Sequence, residues 1–333
     1  MKSKLQYIQI SDFFTQNQTH FTELTLSYQL FGQPLGDAPV VLVNHALTGN
    51  SNVTGKNGWW SELIGEEKVI DTNVYTIIVF NIPGNGYDGF LIENYKDFVA
   101  ADIAKLFLLG LEALKIKKLY AIIGASLGGG LSWEIVVQHP NITEHLIPIA
   151  SDWKSTDWLI ANCRVQEQFL ENSKKPVHDA RMHAMLCYRS PQSFKQKFQR
   201  SINDKLKIFN IESWLLHHGE KLQERFQLSA YKLMNQLLKT IDITKGEYND
   251  LEVLKTITSK IHIIAVDSDV FFSAEENKET YESLKYIHPD VTYNEIVSPH
   301  GHDAFLIEYE KLNNILKEIF NPVKINKNEQ IKA

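Results

Sequence analysis

The chain has 333 residues, of which 44% are hydrophobic and 22% charged, values typical of a folded globular protein. Its 34 basic and 40 acidic side chains give a formal net charge of −6, and every arginine lies between Arg164 and Arg225. Because nucleic-acid binding needs a concentrated basic surface, no nucleic-acid partner is expected. The two cysteines, Cys163 and Cys187, are too few for a disulfide framework and lack metal-ligand spacing, so no metal site is predicted.

The N-terminal residues 1–14 mix lysine, glutamine and aspartate where a signal peptide needs an apolar stretch. No run of about 18 apolar residues occurs anywhere, so no transmembrane helix is predicted. These two observations favour a cytoplasmic protein without a membrane partner.

Short apolar runs predict the strands of the first half of the chain. Residues 24–30 alternate apolar and polar side chains, which predicts an antiparallel edge strand. Continuous apolar runs predict strands buried on both faces, as in a parallel sheet, at 40–44, 75–81, 119–123 and 146–149. Apolar residues at helical spacing over 98–114 predict a helix between the second and third of these strands. Strand, helix and strand in this order indicate an α/β fold.

The pattern changes from about residue 152 to residue 245, where β-branched runs disappear. Leucines and aromatic residues at steps of three and four over 214–239 predict one or two amphipathic helices. The strand pattern returns at 260–266 and 291–297, and a helical stretch follows. We therefore predict an α/β core at 1–151 and 250–333, a helical lid inserted at 152–249, and a frayed tail after about Lys324.

The predicted strand 119–123 leads directly into the G-x-S-x-G motif at residues 124–128, and a helical pattern follows. Between a strand and a helix, this motif is typical of a nucleophile elbow. The sharp turn strains the serine backbone and requires very small flanking residues, while the helix dipole points at the site. Ser126 is therefore a candidate nucleophile. The competing interpretation is a glycine-rich turn that packs closely or binds phosphate.

A serine nucleophile needs a base, and the base needs an orienting carboxylate. In this architecture the expected chain order is serine, then aspartate or glutamate, then histidine. Asp269 and His302 supply that order, and each follows a predicted strand, where α/β sheets place their sites. Asp267 and His300, two residues earlier, are rivals, and spacing alone favours the later residue of each pair only slightly.

Such a site also needs an oxyanion hole. One donor should be the backbone N–H of Leu127, directly after the candidate nucleophile. The loop 44–49, which follows the first buried strand, is the candidate for the second donor. On this evidence alone, an ordinary glycine-containing turn is an equally good interpretation of that loop.

Several motifs, in order, resemble the homoserine O-acetyltransferases, a family of the α/β-hydrolase superfamily. The similarity extends from about residue 20 to residue 315 and includes the predicted elbow, both candidate partners of the serine and segments of the predicted lid. The motifs lie at 44–49, 58–60, 63–65, 70–72, 124–129, 180–182, 188–190, 212–221, 224–226, 268–269 and 298–306.

The resemblance implies the α/β-hydrolase fold, with Ser126 as nucleophile, Asp269 as the orienting acid and His302 as the base. It thereby decides between the rival residues. It also implies that the backbone N–H groups of Leu47 and Leu127 form the oxyanion hole.

The resemblance further implies three substrate-binding residues. Arg181 matches the arginine that holds the substrate carboxylate, Tyr188 a nearby substrate contact, and Asp303 the acid that receives the substrate ammonium. The chemistry agrees, because a guanidinium group suits a carboxylate and a carboxylate suits an amine.

The activity implied by the resemblance is transfer of an acetyl group from acetyl-CoA to the hydroxyl of L-homoserine through an acyl-serine, a step of methionine biosynthesis. Acetyl-CoA would be a co-substrate, no bound cofactor is expected, and a homodimer assembled through lid helices is expected. The alternatives are a serine esterase or thioesterase, transfer to L-serine, succinyl-CoA as donor, or a non-catalytic binding scaffold. The absence of arginine before Arg164 favours acetyl over succinyl.

Three features depart from the family pattern. The segment 81–89 replaces a loop that is usually rich in glycine, serine and threonine, and it raises the question of which acyl donor is used. The region 166–181 is shorter than usual. Glu167 occupies a position commonly held by arginine, and we expect it to pair with Arg164 one turn earlier.

Overall fold

The computed structural model describes residues 3–246 and 250–320. Most of the strands of this part of the chain join one central sheet, and the others form two short two-stranded pairs. The strands are β1 (Gln6–Phe14), β2 (His20–Gly32), β3 (Val40–Asn44), β4 (Ile64–Gly65), β5 (Ile70–Asp71), β6 (Thr76–Phe80), β7 (Leu119–Ala125), β8 (Thr143–Ile149), β9 (Ile202–Asn203), β10 (Ile208–Phe209), β11 (Lys260–Val266) and β12 (Val291–Ile296).

Helices connect these strands and form the insertion. They are α1 (Ala100–Ala113), α2 (Leu127–Gln138), α3 (Asp157–Asn172), α4 (Pro176–Tyr188), α5 (Pro191–Phe198), α6 (Asn210–Gln223), α7 (Leu228–Lys239), α8 (Asp250–Leu254), α9 (Ala274–Leu284) and α10 (Tyr309–Leu316). Short 3-10 helices lie at Tyr95–Asp97 and Gly301–Leu306. None of the helices in the described ranges combines the length and apolar character needed to cross a bilayer.

The central sheet has eight strands in the order β1-β2-β6-β3-β7-β8-β11-β12. From β6 to β12 all neighbours are parallel, whereas β2 runs antiparallel to both β1 and β6. Every residue of β3 and β6 is buried, as expected for strands that are covered by helices on both faces. The predicted mostly parallel α/β fold is therefore confirmed.

The predicted edge position of residues 24–30 is wrong. These residues belong to β2, which is covered on its outer side by β1, with pairing from Gln6–Tyr28 to Phe14–His20. In β1 only Ile10 and Phe13 are buried. A strand so largely exposed leaves little apolar pattern in the sequence, which is why it escaped prediction.

The predicted helical insertion appears between β8 and α8 as the helices α3 to α7. The segment 214–239 belongs to two helices, α6 and α7, rather than one. The lid boundaries at 151/152 and 249/250 stay predictions, and the second of them adjoins residues 247–249, outside the described ranges. The predicted frayed tail after Lys324 also lies outside them.

Candidate active site

Ser126 occupies the sharp turn between β7 and α2. Its backbone angles are φ 56° and ψ −127°, a left-handed conformation that non-glycine residues adopt only when their surroundings enforce it. A Cβ added to Gly124 would lie 2.3 Å from the carbonyl oxygen of Gly128, and one added to Gly128 would lie 2.2 Å from that of Asn44. Both positions therefore require glycine, and the strained turn predicted from the sequence is present.

A hydrogen-bonded chain links three residues from separate loops. His302 Nε2 lies 2.8 Å from Ser126 Oγ, and His302 Nδ1 lies 2.7 Å from Asp269 Oδ2. The other carboxylate oxygen, Asp269 Oδ1, accepts the backbone N–H groups of Phe271 and Phe272 at 2.7 and 3.0 Å. Because Asp269 accepts at Nδ1, that nitrogen carries the proton, and Nε2 is free to accept the proton of the serine hydroxyl.

The rival residues have other partners. Asp267 Oδ1 accepts the backbone N–H of Ser298 at 2.8 Å, and His300 Nδ1 lies 3.2 Å from Ser193 Oγ. The structure thus brings Asp269 and His302, rather than Asp267 and His300, to Ser126. Their catalytic roles stay predictions.

The two candidate oxyanion donors lie in the expected elements. Leu127 is the first residue of α2, and Leu47 follows β3 in the loop 44–49. Within the described ranges, no protein acceptor takes the backbone N–H of either residue. Both side chains are buried. An oxyanion hole requires such unoccupied backbone donors, and the assignment of these two stays a prediction.

His45 fixes the loop that contains Leu47. Its Nδ1 donates to the carbonyl oxygen of Ala46 at 2.9 Å, and its Nε2 accepts the backbone N–H of Ile82 at 3.1 Å. Burial lowers the pKa of His45 to about 4, so the ring is neutral near pH 7. The unusual segment 81–89 is therefore tied directly to the candidate oxyanion loop 44–49, a role for His45 that the sequence analysis missed.

Two of the predicted substrate-binding residues, Tyr188 and Asp303, adjoin His302, and the third, Arg181, lies over Tyr188. The Arg181 guanidinium lies over the ring of Tyr188, 5.5 Å from its centre, and the Tyr188 ring centre lies 5.5 Å from that of His302. Asp303 directly follows the histidine. Burial raises the pKa of Asp303, and the positive charges of Arg181 and Arg189 oppose that rise. The arrangement places a cation and a carboxylate near the candidate base, and their roles as substrate contacts stay predictions.

Two further arginines contact this region and were not assigned a role from the sequence. Arg189 Nη1 lies 3.6 Å from Asp303 Oδ2, and Arg225 Nη1 donates to the carbonyl oxygen of Thr48 at 3.2 Å. Burial, followed by the charge of Arg181, lowers the pKa of Arg225. Both arginines lie in motifs that carry the family resemblance, at 188–190 and 224–226. Those motifs were the sequence signal that could have indicated a role for them.

The expected pairing of Glu167 with Arg164 is confirmed. Arg164 Nη1 lies 2.9 Å from Glu167 Oε2, and Lys239 of α7 binds the other carboxylate oxygen. Although burial opposes the change, hydrogen bonds from Lys239 and Arg164 lower the pKa of Glu167. Glu167, at a position where the family commonly has arginine, therefore joins α3 to α7 within the insertion.

A narrow cavity lies between the insertion and the candidate site. Leu47, Tyr188 and Phe271 line its side nearest the triad, and the remainder comes from α3, α4 and α7. No charged side chain of the described residues lines this cavity. The lining is completed by Asn162, Cys163, Gln166, Ala184, Cys187, Tyr231, Asn235 and Leu238.

Comparison with known proteins agrees with this geometry. Residues 39–166 match a family model described as the alpha/beta hydrolase fold. A homoserine O-acetyltransferase from Cyclobacterium marinum is 36% identical, with 90% of each chain covered. The crystal structure of a homoserine O-acetyltransferase from Staphylococcus aureus superposes with a TM-score of 0.82 at 22% identity, covering 98% of both chains. The crystal structure of esterase E22 superposes with a TM-score of 0.85 at 17% identity, covering 96% of this chain and all of the esterase.

The nucleophile elbow, the hydrogen-bonded triad and the parallel sheet define a member of the α/β-hydrolase superfamily. The two structural likenesses, at such low identity, show the fold alone. The sequence similarity goes further, since it spans nearly the whole chain. The chain belongs to the homoserine O-acetyltransferase family, a family of acyltransferases.

Proposed function

We propose that this protein transfers the acetyl group of acetyl-CoA to the hydroxyl of L-homoserine, and that Ser126 carries the acetyl group between the two substrates. The observation that carries the proposal is the unbroken hydrogen-bonded chain from Ser126 through His302 to Asp269, with Arg181 and Asp303 beside it. The triad supplies acyl transfer, and the flanking charges suit the carboxylate and ammonium of an amino acid.

In the first half-reaction, His302 Nε2 takes the proton of Ser126 as the serine oxygen attacks the thioester carbonyl. The backbone N–H groups of Leu47 and Leu127 stabilise the tetrahedral oxyanion, and one such donor is typically worth about 3 kcal/mol. The intermediate then collapses, His302 gives its proton to the thiolate, and CoA leaves an acetyl-serine. Asp269 keeps the imidazole in the required tautomer and stabilises its positive charge.

In the second half-reaction, the hydroxyl of the acceptor replaces CoA. Arg181 holds the carboxylate of L-homoserine and Asp303 holds its ammonium, with Tyr188 between Arg181 and His302. His302 again takes a proton, now from the acceptor hydroxyl, which attacks the acetyl-serine. Collapse of the second tetrahedral intermediate returns the proton to Ser126 and releases O-acetyl-L-homoserine.

Acetyl rather than succinyl is proposed as the acyl group, because the chain before Arg164 has no arginine to pair with the second carboxylate of a succinyl group. A buried carboxylate without a partner is strongly unfavourable. The predicted cytoplasmic location and a homodimer assembled through lid helices also belong to this proposal.

The competing function is hydrolysis of an ester or thioester by the same triad, and the fold likeness to esterase E22 supports its consideration. A transferase differs chiefly in keeping water from its acyl-enzyme. Steady-state assays that pair acetyl-CoA or succinyl-CoA with L-homoserine or L-serine, while free acetate is also measured, separate the possibilities. We expect O-acetyl-L-homoserine as the main product, whereas predominant free acetate would establish a hydrolase.

Brief exposure to acetyl-CoA followed by mass spectrometry tests the intermediate. We expect the wild-type protein to gain one acetyl group and Ser126→Ala to gain none. An equal gain on both would overturn the assignment of Ser126.

A further inference from the structure

Arg189 is a buried arginine for which the proposed reaction has so far no use. It directly follows α4, its side chain is 10% exposed, and its Nε atom has no hydrogen-bond partner among the described residues. Its Nη1 atom faces Asp303 Oδ2 at 3.6 Å, and the Asp303 side chain is only 18% exposed. Burying a guanidinium is costly unless it is paired, and Asp303 is the partner that offsets this cost. The function of this buried pair is the question that follows.

The turn that carries Arg189 packs directly on the histidine loop. Ser190 Oγ donates to the carbonyl oxygen of Pro299. Gly301 has a φ of +65°, and a Cβ added there would lie 3.0 Å from the backbone nitrogen of Ser190 and 3.1 Å from the carbonyl carbon of Arg189. This close backbone contact fixes where the guanidinium meets Asp303.

The groups around Asp303 that favour its ionised form differ in their roles in the proposed reaction. Arg181, Arg189 and His302 all favour its ionised form, while burial favours the neutral form. Arg181 is assigned to the substrate carboxylate, and a histidine that acts as a base is neutral when the acceptor binds. Among the described residues, Tyr188 and His300 are two further titratable groups near this carboxylate. Arg189 is therefore the one of these cations that is positioned by the fold and has no other task in the proposed reaction.

We propose that Arg189 is a positioning residue that keeps Asp303 ionised and directed at the acceptor site, so that the enzyme selects hydroxyl acceptors that carry an ammonium group. This inference rests on the proposed function, in which Asp303 receives the ammonium of the acceptor. It extends that function to a residue that touches neither substrate. A neutral Asp303 would bind an amine weakly, because the charge attraction is lost.

The test compares two acceptors in the full-length protein. L-Homoserine has the ammonium group, and γ-hydroxybutyrate has the same hydroxyl and carboxylate without it. In Arg189→Met we expect KM for L-homoserine to rise about tenfold near neutral pH, the loss typical of a weakened charge-assisted contact to the ammonium group. The acid limb of kcat/KM for L-homoserine should move to higher pH, and Arg189→Lys should restore most of the wild-type profile.

Two readouts separate this role from a general structural one. The burst of p-nitrophenol from p-nitrophenyl acetate reports only the first half-reaction, and it should be unchanged in Arg189→Met. Transfer to γ-hydroxybutyrate should also be unchanged. In an Asp303→Asn background, Arg189→Met should have no further effect on L-homoserine, because the group through which it acts is absent. Arg164→Met, which removes an exposed lid arginine, is the matched control.

Equal losses for the burst and for both acceptors would overturn the inference, as would an unchanged KM for L-homoserine. If Arg189→Met is recovered unfolded, Arg189→Gln decides, because it removes the positive charge but keeps a polar side chain: a folded Arg189→Gln with the acid limb and the KM for L-homoserine of the wild type would contradict the inference. A wild-type protein that shows the burst but acetylates neither L-homoserine nor L-serine would instead refute the proposed function.

Discussion

The neutral imidazole of His45 accepts the backbone N–H of Ile82 at 3.1 Å, and this bond holds the candidate oxyanion loop 44–49 against the segment 81–89. Both residues are fully buried. The position of the Leu47 N–H group thus depends on a segment that departs from the family pattern. Changes in that segment can affect catalysis without contacting a substrate.

Replacing His45 by phenylalanine tests this dependence. The ring is retained, but the Ile82 N–H loses its acceptor, and an unpaired buried donor costs about 1–3 kcal/mol of stability. We expect urea unfolding to show a loss of this size and the acylation burst to slow, with partial recovery in His45→Gln, whose side-chain oxygen can replace Nε2. His20→Phe, at an exposed histidine, should change neither quantity.

The same variant has a defined pH dependence. The pKa of His45 is lowered from 6.5 to about 4 in the fold, so its stabilising contribution is present above pH 6.5 and is lost as the pH falls toward 4. Phenylalanine does not titrate. The stability difference between wild type and His45→Phe should therefore narrow by about 2 kcal/mol between pH 8 and pH 5, and a constant difference would contradict the assignment of a neutral His45.

Asparagine substitutions at Asp269 and Asp267 distinguish the two rivals. Asp269→Asn should lower kcat by about four orders of magnitude, since the histidine would no longer be held in the productive tautomer. In Asp267→Asn the side-chain oxygen can still accept the Ser298 N–H, so kcat should change by no more than about twofold. Comparable losses in both variants would show that the distinction between these carboxylates is wrong.

Glu134 should give a pH dependence of stability opposite in sign to that of His45. Burial raises its pKa from 4.5 to about 7, and its Oε1 accepts the backbone N–H of Asp242 at 3.1 Å. The folded state therefore holds the carboxyl proton of Glu134 more tightly than the unfolded state does. The contribution of Glu134 to stability is fully present below pH 4.5 and is lost as the pH rises through 7. Glu134→Gln keeps the acceptor without the charge, so it should be more stable than wild type at pH 8, by up to about 3 kcal/mol, and equal at pH 4.5.

Gly301→Ala tests the contact between the lid turn and the histidine loop, with Gly36→Ala as its control. Both glycines have positive φ, but a Cβ on Gly36 would meet nothing within 4 Å. Each substitution should cost about 1–2 kcal/mol for its backbone conformation. Gly301→Ala should lose additional stability and slow the acylation burst, because it displaces the loop that holds His302, and equal losses in the two variants would refute a tight contact.

The sequence specified the fold wherever burial left a strong pattern. The bounds of β3 and β11 match the predicted strands, because strands that are buried over most of their length leave a largely apolar sequence. By contrast, β1 is mostly exposed and was missed, which also misplaced β2 at the sheet edge. Periodicity describes the burial of a single element and contains no information about its neighbour in the sheet.

The candidate site, like the fold, was predictable only where the sequence has a strong local pattern. Ser126 was identifiable because the strained turn imposes glycines on nearby positions. Asp267 and Asp269 lie two residues apart in one turn, so spacing could not distinguish them. Only the partners that their carboxylates reach in the fold do so. The partners of His45 and Arg189 lie far away in the sequence, so neither role could be assigned before the fold was known.

The residues proposed for bond making and breaking all belong to the sheet and its loops, whereas Arg181, Tyr188 and Arg189 belong to the insertion. Asp303 is the only proposed recognition residue outside the insertion, and it is matched by a partner within it. Descendants of such a scaffold can acquire a new acceptor by remodelling one segment, while the inherited acylation machinery stays intact.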